Sequence, residues 1–401
     1  MLLSEIFTLI GKKCDKDIVV NKISIDSRSI EQDDVFICIN SGYKYIDDAI
    51  NRRASLIITE KKYNYDTDIK IEIVDDTIKV LGLIARYIRS KFNKPVIAIT
   101  GSNGKTTTKE LLYHILGSKY NVLKNEGSLN NHIGVPSTIL GLNDKYDFLV
   151  LELGTNHPGE IAYLTDIVNP TVAIITNIGS SHIGNFKSLY NIYKEKISIK
   201  KDDTILFING EDKYLNKCKG IKVYCNDYNY IPKIPYYKMN YYLVFKVCEY
   251  FNMDIKDIVF YADSFKINNS RMDYYNYGNI TLIDDTYNAS YESIVEGINS
   301  LDKKRRKVII LGDMLELGKY NGYLHLKLSN EIKKINNHFL ITIGENTKMI
   351  SSDYHFDNMD NLLNYLEKIT FFSNDIIYVK GAHGMKMYKV VNKLKTILQK
   401  E

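Results

Sequence analysis

The sequence predicts an α/β protein built around a doubly wound parallel sheet, on two observations. From Pro95 onward, apolar runs of strand length alternate with helix-like stretches. The first such run, "VIAIT" (96–100), passes at once into a glycine-rich turn and a helical pattern, "GSNGKTTTKELLYHIL" (101–116). Strands buried on both faces read as unbroken apolar runs, and parallel neighbours need helical crossovers between them. Ligands of such sheets bind at the carboxyl ends of the strands.

The same rhythm places the elements in order. Residues 1–93 read as a small α/β unit, with strands at 33–39 and 54–60 and a helix at 77–92. In a central unit, 94–267, strands at 96–100, 147–153, 171–178 and 204–210 alternate with helices at 105–117 and near "PGEIAYLTDI". Residues 215–237 break that pattern into short polar pieces before a helix at about 238–251. A third rhythm begins near residue 268, with strands at 279–285, 307–313, 339–344 and 375–381, and defines a unit of 268–401.

A chain of 401 residues is long for one core and fits two or three domains. Its net charge of +5 has both signs interspersed, which argues against a nucleic-acid patch and suits anionic ligands. Five scattered Cys, none in a Cys-x-x-Cys pair, indicate neither a disulfide framework nor a zinc site. No stretch reaches the roughly 18 apolar residues of a membrane span, and the first residues lack a basic leader. A cytoplasmic protein is expected.

The turn at 101–107 has the position of a phosphate loop without the common spacing, since Ile99 stands where the first Gly usually lies. Backbone amides at a helix N-terminus favour phosphate, Lys105 can reach the terminal phosphates, and a Thr hydroxyl can ligate magnesium. The short Gly-x-x-Gly-Lys-Thr-Thr form, preceded by Thr100, resembles the phosphate loop of the Mur ligase family. These are ATP-dependent amide ligases of peptidoglycan precursor synthesis, related to the folylpolyglutamate synthases. The resemblance implies that Gly101, Ser102, Asn103, Gly104, Lys105, Thr106 and Thr107 hold ATP.

Other segments extend the resemblance. "NEGSLNNHIGVPSTIL" (125–140) is similar to the family's Asn-rich segment and implies Asn131 beside the terminal phosphate. "LELGTNHPGEI" (151–161) puts Glu152 at a strand end, where a hard-oxygen magnesium ligand belongs, with Thr155 and Asn156 toward the substrate. "ITNIGSSHIGNF" (175–186) puts His182 just past the next strand end. In "SLYNIYKEKISIKK" (188–201), Lys196 takes the place of the family's carbamoylated lysine, with Lys194 as the fallback. Glu195, Ile197 and Ser198 stand where the family has small residues. The implied metal set is Thr106, Glu152, His182 and the Lys196 carbamate, for two magnesium ions.

In the last unit, "SRMDYYNYGNITLIDDTYNASYES" (270–293) resembles a segment whose Arg meets the terminal phosphate and whose Asp grips the ribose. These map to Arg271 and Asp285, with Asn288 toward the substrate. "ILGDMLELG" (310–318), His325 and "VKGAHGMKM" (379–387) complete the match. "ISIDSRSIEQDDVFICI" (23–39) resembles the family's uridine-facing start and implies Ser27 and Arg28 as substrate contacts. The match is thinnest between 210 and Arg271, where Lys238 replaces the His expected beside adenine and Asn240 is a partial substitute.

The resemblance implies three domains: an N-terminal UDP-substrate-binding domain, a central ATP-binding domain and a C-terminal Rossmann-like domain. It implies phosphorylation of a substrate carboxylate by ATP and attack of an amine on the acyl phosphate, with Lys105, Asn131, His182, Lys196 and Arg271 as the catalytic set. The motifs are nearest those of the last ligase in the series, which implies UDP-N-acetylmuramoyl-tripeptide and D-alanyl-D-alanine as partners and a monomeric enzyme. Two alternatives stay open. One is an amide ligase of the same superfamily with another carboxylate and amine; the other is a nucleotide-binding module with little ligase activity.

Overall fold

A computed structural model describes residues 1–14, 17–62, 67–266 and 270–399, and its strands form three sheets. The first sheet has order β1-β2-β3-β4, all parallel, from β1 (Ile23–Ser24), β2 (Val35–Ile37), β3 (Leu56–Thr59) and β4 (Lys70–Ile73). Strand alternation divides its side chains. Val35 and Ile37 pack on helices Leu3–Leu9 and Thr77–Lys91, while Phe36 and Cys38 face helix Ile46–Asn51. Asp76 starts the long helix by accepting the Lys79 amide at 2.9 Å, and Pro95 follows its end.

The second sheet is the expected doubly wound one. It comprises β5 (Val96–Thr100), β6 (Val122–Lys124), β7 (Phe148–Glu152), β8 (Val172–Ile175), β9 (Ile205–Asn209) and β10 (Ile221–Val223). Their order is β10-β9-β8-β5-β7-β6, with every pairing parallel. The chain leaves β5 for one edge, returns through β7, and then continues from β8 to the other edge. The winding therefore reverses at the carboxyl end of β5, where such sheets bind ligands. All residues of β5, β7 and β8 are buried, as their apolar runs require.

The third sheet contains β11 (Asp273–Tyr277), β12 (Ile280–Asp285), β13 (Lys307–Gly312), β14 (His338–Ile343), β15 (Tyr354–Phe356) and β16 (Ile376–Lys380). Its order is β11-β12-β16-β13-β14-β15, and only β11 runs antiparallel to its neighbour. The segment 215–237, expected as irregular, holds the short strand β10 and two single turns. The 267/268 boundary expected between the last two units lies outside the described residues.

One apolar cluster runs from the central sheet into the inner layer of the third, joining Leu151 and Ile174 to Ile294, Leu324 and Tyr378. Main chain also meets main chain across this junction. Gly184 N donates to Glu316 O at 3.0 Å, and a Cβ on Gly318 would lie 3.0 Å from Gly184 Cα.

Candidate active site

The loop after β5 exists because two glycines permit it. Gly101 has φ +152°, and a Cβ there would fall 1.9 Å from Thr176 Oγ1. Gly104 has φ +78°, and a Cβ would fall 2.3 Å from Asn240 Nδ2. Ser102 N donates to Asn177 O at 3.0 Å and Asn103 N to Asn177 Oδ1 at 2.9 Å, so β8 braces the first half of the loop. Helix Lys105–Leu116 then begins, and the amides of Lys105, Thr106 and Thr107 have no acceptor within the helix. Asn240 braces the turn from behind by donating to Gly104 O at 3.3 Å and Thr108 Oγ1 at 2.9 Å.

Glu152 ends β7 opposite Ile99 of β5, which carries its carboxylate to the loop. It is buried; Oε2 accepts Thr106 Oγ1 at 2.7 Å, and Oε1 accepts Asn130 Nδ2 at 2.8 Å. Thr106 and Glu152 together present hard oxygens of the kind that magnesium takes. Among the described residues no group of three or more His, Cys, Asp or Glu is placed to hold a metal ion. A cation at this pair would complete its shell with water and phosphate oxygens, which is the usual habit of magnesium.

Two lysines share one acceptor. Lys105 Nζ and Lys196 Nζ each donate to Gly101 O at 3.0 Å. Burial, with the ammonium of Lys105 close by, holds the pKa of Lys196 well below the ordinary lysine range. Burial also lowers that of Lys105, against the pull of Glu152. Lys194 is exposed, with Nζ 4.9 Å from the Tyr190 ring centroid, because neighbours two apart point to different sides of a helix. His182 adopts φ +58° and directs Nδ1 to the Glu316 carboxylate. Burial lowers its pKa, Glu316 opposes this, and Lys105 and Lys196 reinforce it.

The third sheet supplies the facing wall. Arg271 sits between Ser270 at φ +55° and Met272 at φ +56°, and its guanidinium lies 3.7 Å from the Tyr287 ring centroid. Arg271 Nε is buried with no acceptor among the described residues. Asp285, expected at a ribose, already takes Lys380 Nζ and Tyr378 Oη (2.8 Å) on Oδ2. Burial raises its pKa against that support. Asn288 turns Oδ1 onto Ala289 N at 2.9 Å. Ser290 Oγ reaches across to Asn103 Oδ1 at 3.0 Å, and Ser180 N and Oγ donate to Glu292 at 3.0 and 2.7 Å.

These groups line a cavity of 190 Å³ that takes in residues 102–107, Glu152, His182, Arg271, Asp285, Asn288 and Lys380. A second cavity of 150 Å³ shares Lys105, Asn130 and His182 with it and is lined by Asn131, Thr155 and Asn156. Asn131 thus lies beside the second cavity, its Oδ1 occupied by the amides of Ile133 (3.1 Å) and Gly134 (2.9 Å); the side chain that meets Glu152 is Asn130. Thr155 Oγ1 donates to His157 O and Glu195. Ser27 and Arg28 line neither cavity; Arg28 forms a two-pronged pair with Asp26 at 2.9 and 2.8 Å on the first sheet. Lys238 lies over the Tyr242 ring, away from the cavity.

Sequence reasoning missed Asn130, Tyr236, Tyr237 and Lys380, all of which line the first cavity. Lys380 had a usable signal, as the last residue of an apolar strand. The tyrosines had none in a chain with 32 of them.

Comparison with known proteins identifies the family. Residues 99–229 match the Mur ligase middle domain, and residues 270–383 match the family described as Mur ligase, glutamate ligase domain. The UDP-N-acetylmuramoyl-tripeptide–D-alanyl-D-alanine ligase of Buchnera aphidicola from Acyrthosiphon pisum is 31% identical, over 94% of each chain. That of Bacillus subtilis is 28% identical, over 94% of this chain and 93% of the relative. The MurF ligase of Thermotoga maritima in complex with ADP superposes with a TM-score of 0.82 at 24% identity, covering 94% of this chain and 98% of that one. A MurF from Acinetobacter baumannii gives 0.85 at 23% identity, over 98% of both. With both domains matched and the likeness to these relatives sustained along nearly the whole chain, the protein belongs to the Mur ligase family of ATP-dependent amide ligases.

Proposed function

We propose that this chain joins D-alanyl-D-alanine to UDP-N-acetylmuramoyl-tripeptide, with ATP converted to ADP and phosphate through an acyl phosphate. The observation that carries the site assignment is the 190 Å³ cavity, where open first-turn amides, Lys105 and the acceptorless Arg271 Nε converge beside the Thr106–Glu152 pair. That is a pocket for a polyphosphate and its cation. Phosphoryl transfer needs positioning and charge neutralisation more than covalent help from the protein.

In this reading the helix amides and Lys105 hold the terminal phosphates from one side, and Arg271, backed by Tyr287, holds them from the other. Thr106 and Glu152 would hold one magnesium ion, and His182 with a carbamate on Lys196 would hold a second. When bound, magnesium would supply charge neutralisation for the phosphoryl transfer. The depressed pKa of Lys196 supports a neutral amine, which adds to carbon dioxide with loss of one proton to give a carbamate. The second cavity, with Thr155 and Asn156, takes the peptide end of the carboxylate substrate, next to Lys105. Ser27 and Arg28 meet its uridine end on an N-terminal domain of 1–93, with 94–267 and 268–401 as the nucleotide-binding and closing domains. No helix among the described residues is long and apolar enough to cross a membrane, and we place the enzyme in the cytoplasm as a monomer.

The test is phosphate release from ATP with UDP-N-acetylmuramoyl-tripeptide, with and without D-alanyl-D-alanine. Dipeptide-dependent release is expected. Release indifferent to the dipeptide would overturn the substrate assignment, and nucleotide binding without turnover on any acceptor would leave only a binding module.

A further inference from the structure

A fully buried cation stands one turn behind the phosphate loop and lines neither cavity. Lys109 lies four residues after Lys105, on the same side of the helix, and is 0% exposed. Its Nζ donates to Asn125 O at 2.5 Å and to Gly127 O at 3.3 Å, and it pairs with Glu110 at 3.0 Å. Packing alone does not ask for this residue. An apolar side chain of similar length would fill the space without desolvating a charge, and buried ionic groups contribute little net stability. What the ammonium does is fix one particular backbone segment.

That segment leads directly to Glu152. Asn125, also 0% exposed, follows the last residue of β6 and carries the pairing with β7 further by side chain. Its Oδ1 accepts Glu152 N at 2.9 Å, and its Nδ2 donates to Glu152 O at 3.0 Å and Leu129 O at 2.7 Å. The same stretch delivers Asn130, whose Nδ2 meets Glu152 Oε1 at 2.8 Å and whose carbonyl accepts Gly154 N at 2.8 Å. The main chain of Glu152 and one of its carboxylate oxygens are therefore held by a loop whose own anchor is Lys109.

We propose that Lys109 and Asn125 are a positioning pair that sets the Glu152 carboxylate, and through it the affinity of the nucleotide site for its divalent cation. The proposal rests on the assignment of Glu152 to that cation. Groups that orient a metal ligand from behind are worth about 10–100-fold in metal affinity.

The experiment measures Mn²⁺ binding to the full-length protein by electron paramagnetic resonance, with the β,γ-imido analogue of ATP present. Affinity for the same analogue in EDTA and the melting temperature are recorded alongside. Glu152→Gln, Lys109→Met and Asn125→Ala are compared with the unaltered protein. Lys109→Met and Asn125→Ala are each expected to weaken Mn²⁺ binding about tenfold while nucleotide binding in EDTA stays within about twofold. A lower melting temperature with unchanged Mn²⁺ affinity in both, while Glu152→Gln loses the ion, overturns the positioning role and leaves the cation assignment standing. Unchanged Mn²⁺ affinity in Glu152→Gln overturns the assignment and the proposal together. If Lys109→Met does not fold, Asn125→Ala decides.

Discussion

The two walls of the 190 Å³ cavity are made differently. The central wall is mostly main chain and strand ends. Gly101 and Gly104 shape the loop, helix amides open onto the cavity, and Glu152 arrives on a buried strand. The facing wall is mostly side chain held by side chain: Arg271 lies on Tyr287, and Asp285 is tied to Lys380 and Tyr378. A wall of backbone is rigid and tolerates few substitutions, whereas one of stacked and paired side chains fails piece by piece. In the proposed function, that difference suits a site where one half holds the nucleotide and the other docks onto it.

Changes on each wall test that contrast, and the largest effect belongs to the central wall. Lys105→Met should lower kcat about 1000-fold, roughly 4 kcal/mol of transition-state stabilisation, with the melting temperature little changed. Phosphate release kinetics and calorimetry check it. Asp285→Ala strands the Lys380 ammonium in a buried site and should cost about 3 kcal/mol of stability, read from the denaturant midpoint. Gly101→Ala forces a methyl group onto Thr176 and should cost about 2 kcal/mol by the same measurement. If it is neutral, the rigid-wall account is wrong. Tyr287→Leu removes only the platform under Arg271 and should raise KM for ATP about fivefold, close to 1 kcal/mol.

The smallest effect is a slope. Because Lys196 binds its proton less tightly in the folded state than in the unfolded one, the unfolded chain holds more protons below the ordinary lysine pKa of about 10.4. Stability on this account rises with pH through that window and falls as pH drops. Lys196→Met should flatten part of the rise in denaturation series run between neutral and alkaline pH; an identical slope would contradict the depressed amine.

The contrast between the walls also explains what the sequence made legible. Strands β5, β7, β8, β12, β13 and β16 are buried apolar runs, so their positions and the loop after β5 were readable. Strands β1, β4, β6, β10 and β15 are short and carry polar residues among their apolar ones, so no unbroken apolar run marks them. Glu152 was legible as a strand-end residue because topology fixes where a strand end points, whereas Asp285 was legible through the resemblance of residues 270–293 to the family's segment. The Asn pair shows the limit, since a loop's turn decides whether Asn130 or Asn131 faces Glu152, and adjacent residues of one type carry no mark of that choice. Tyr287 as a stacking partner for Arg271 likewise depends on two left-handed residues, Ser270 and Met272, neither of which is glycine.

The contact of Gly184 with Glu316 and Gly318 sets how closely the two walls can meet. A seam of bare peptide units freezes no side-chain rotamers when it closes, so the entropy lost on docking is small. It is one part of a wider junction, which also holds Tyr320 Oη on Lys187 O at 2.6 Å, Ser290 Oγ on Asn103 Oδ1 at 3.0 Å and the Ser180 donors on Glu292. A side chain at either glycine would act as a spacer, holding the wall that carries Arg271 away from the one that carries Lys105.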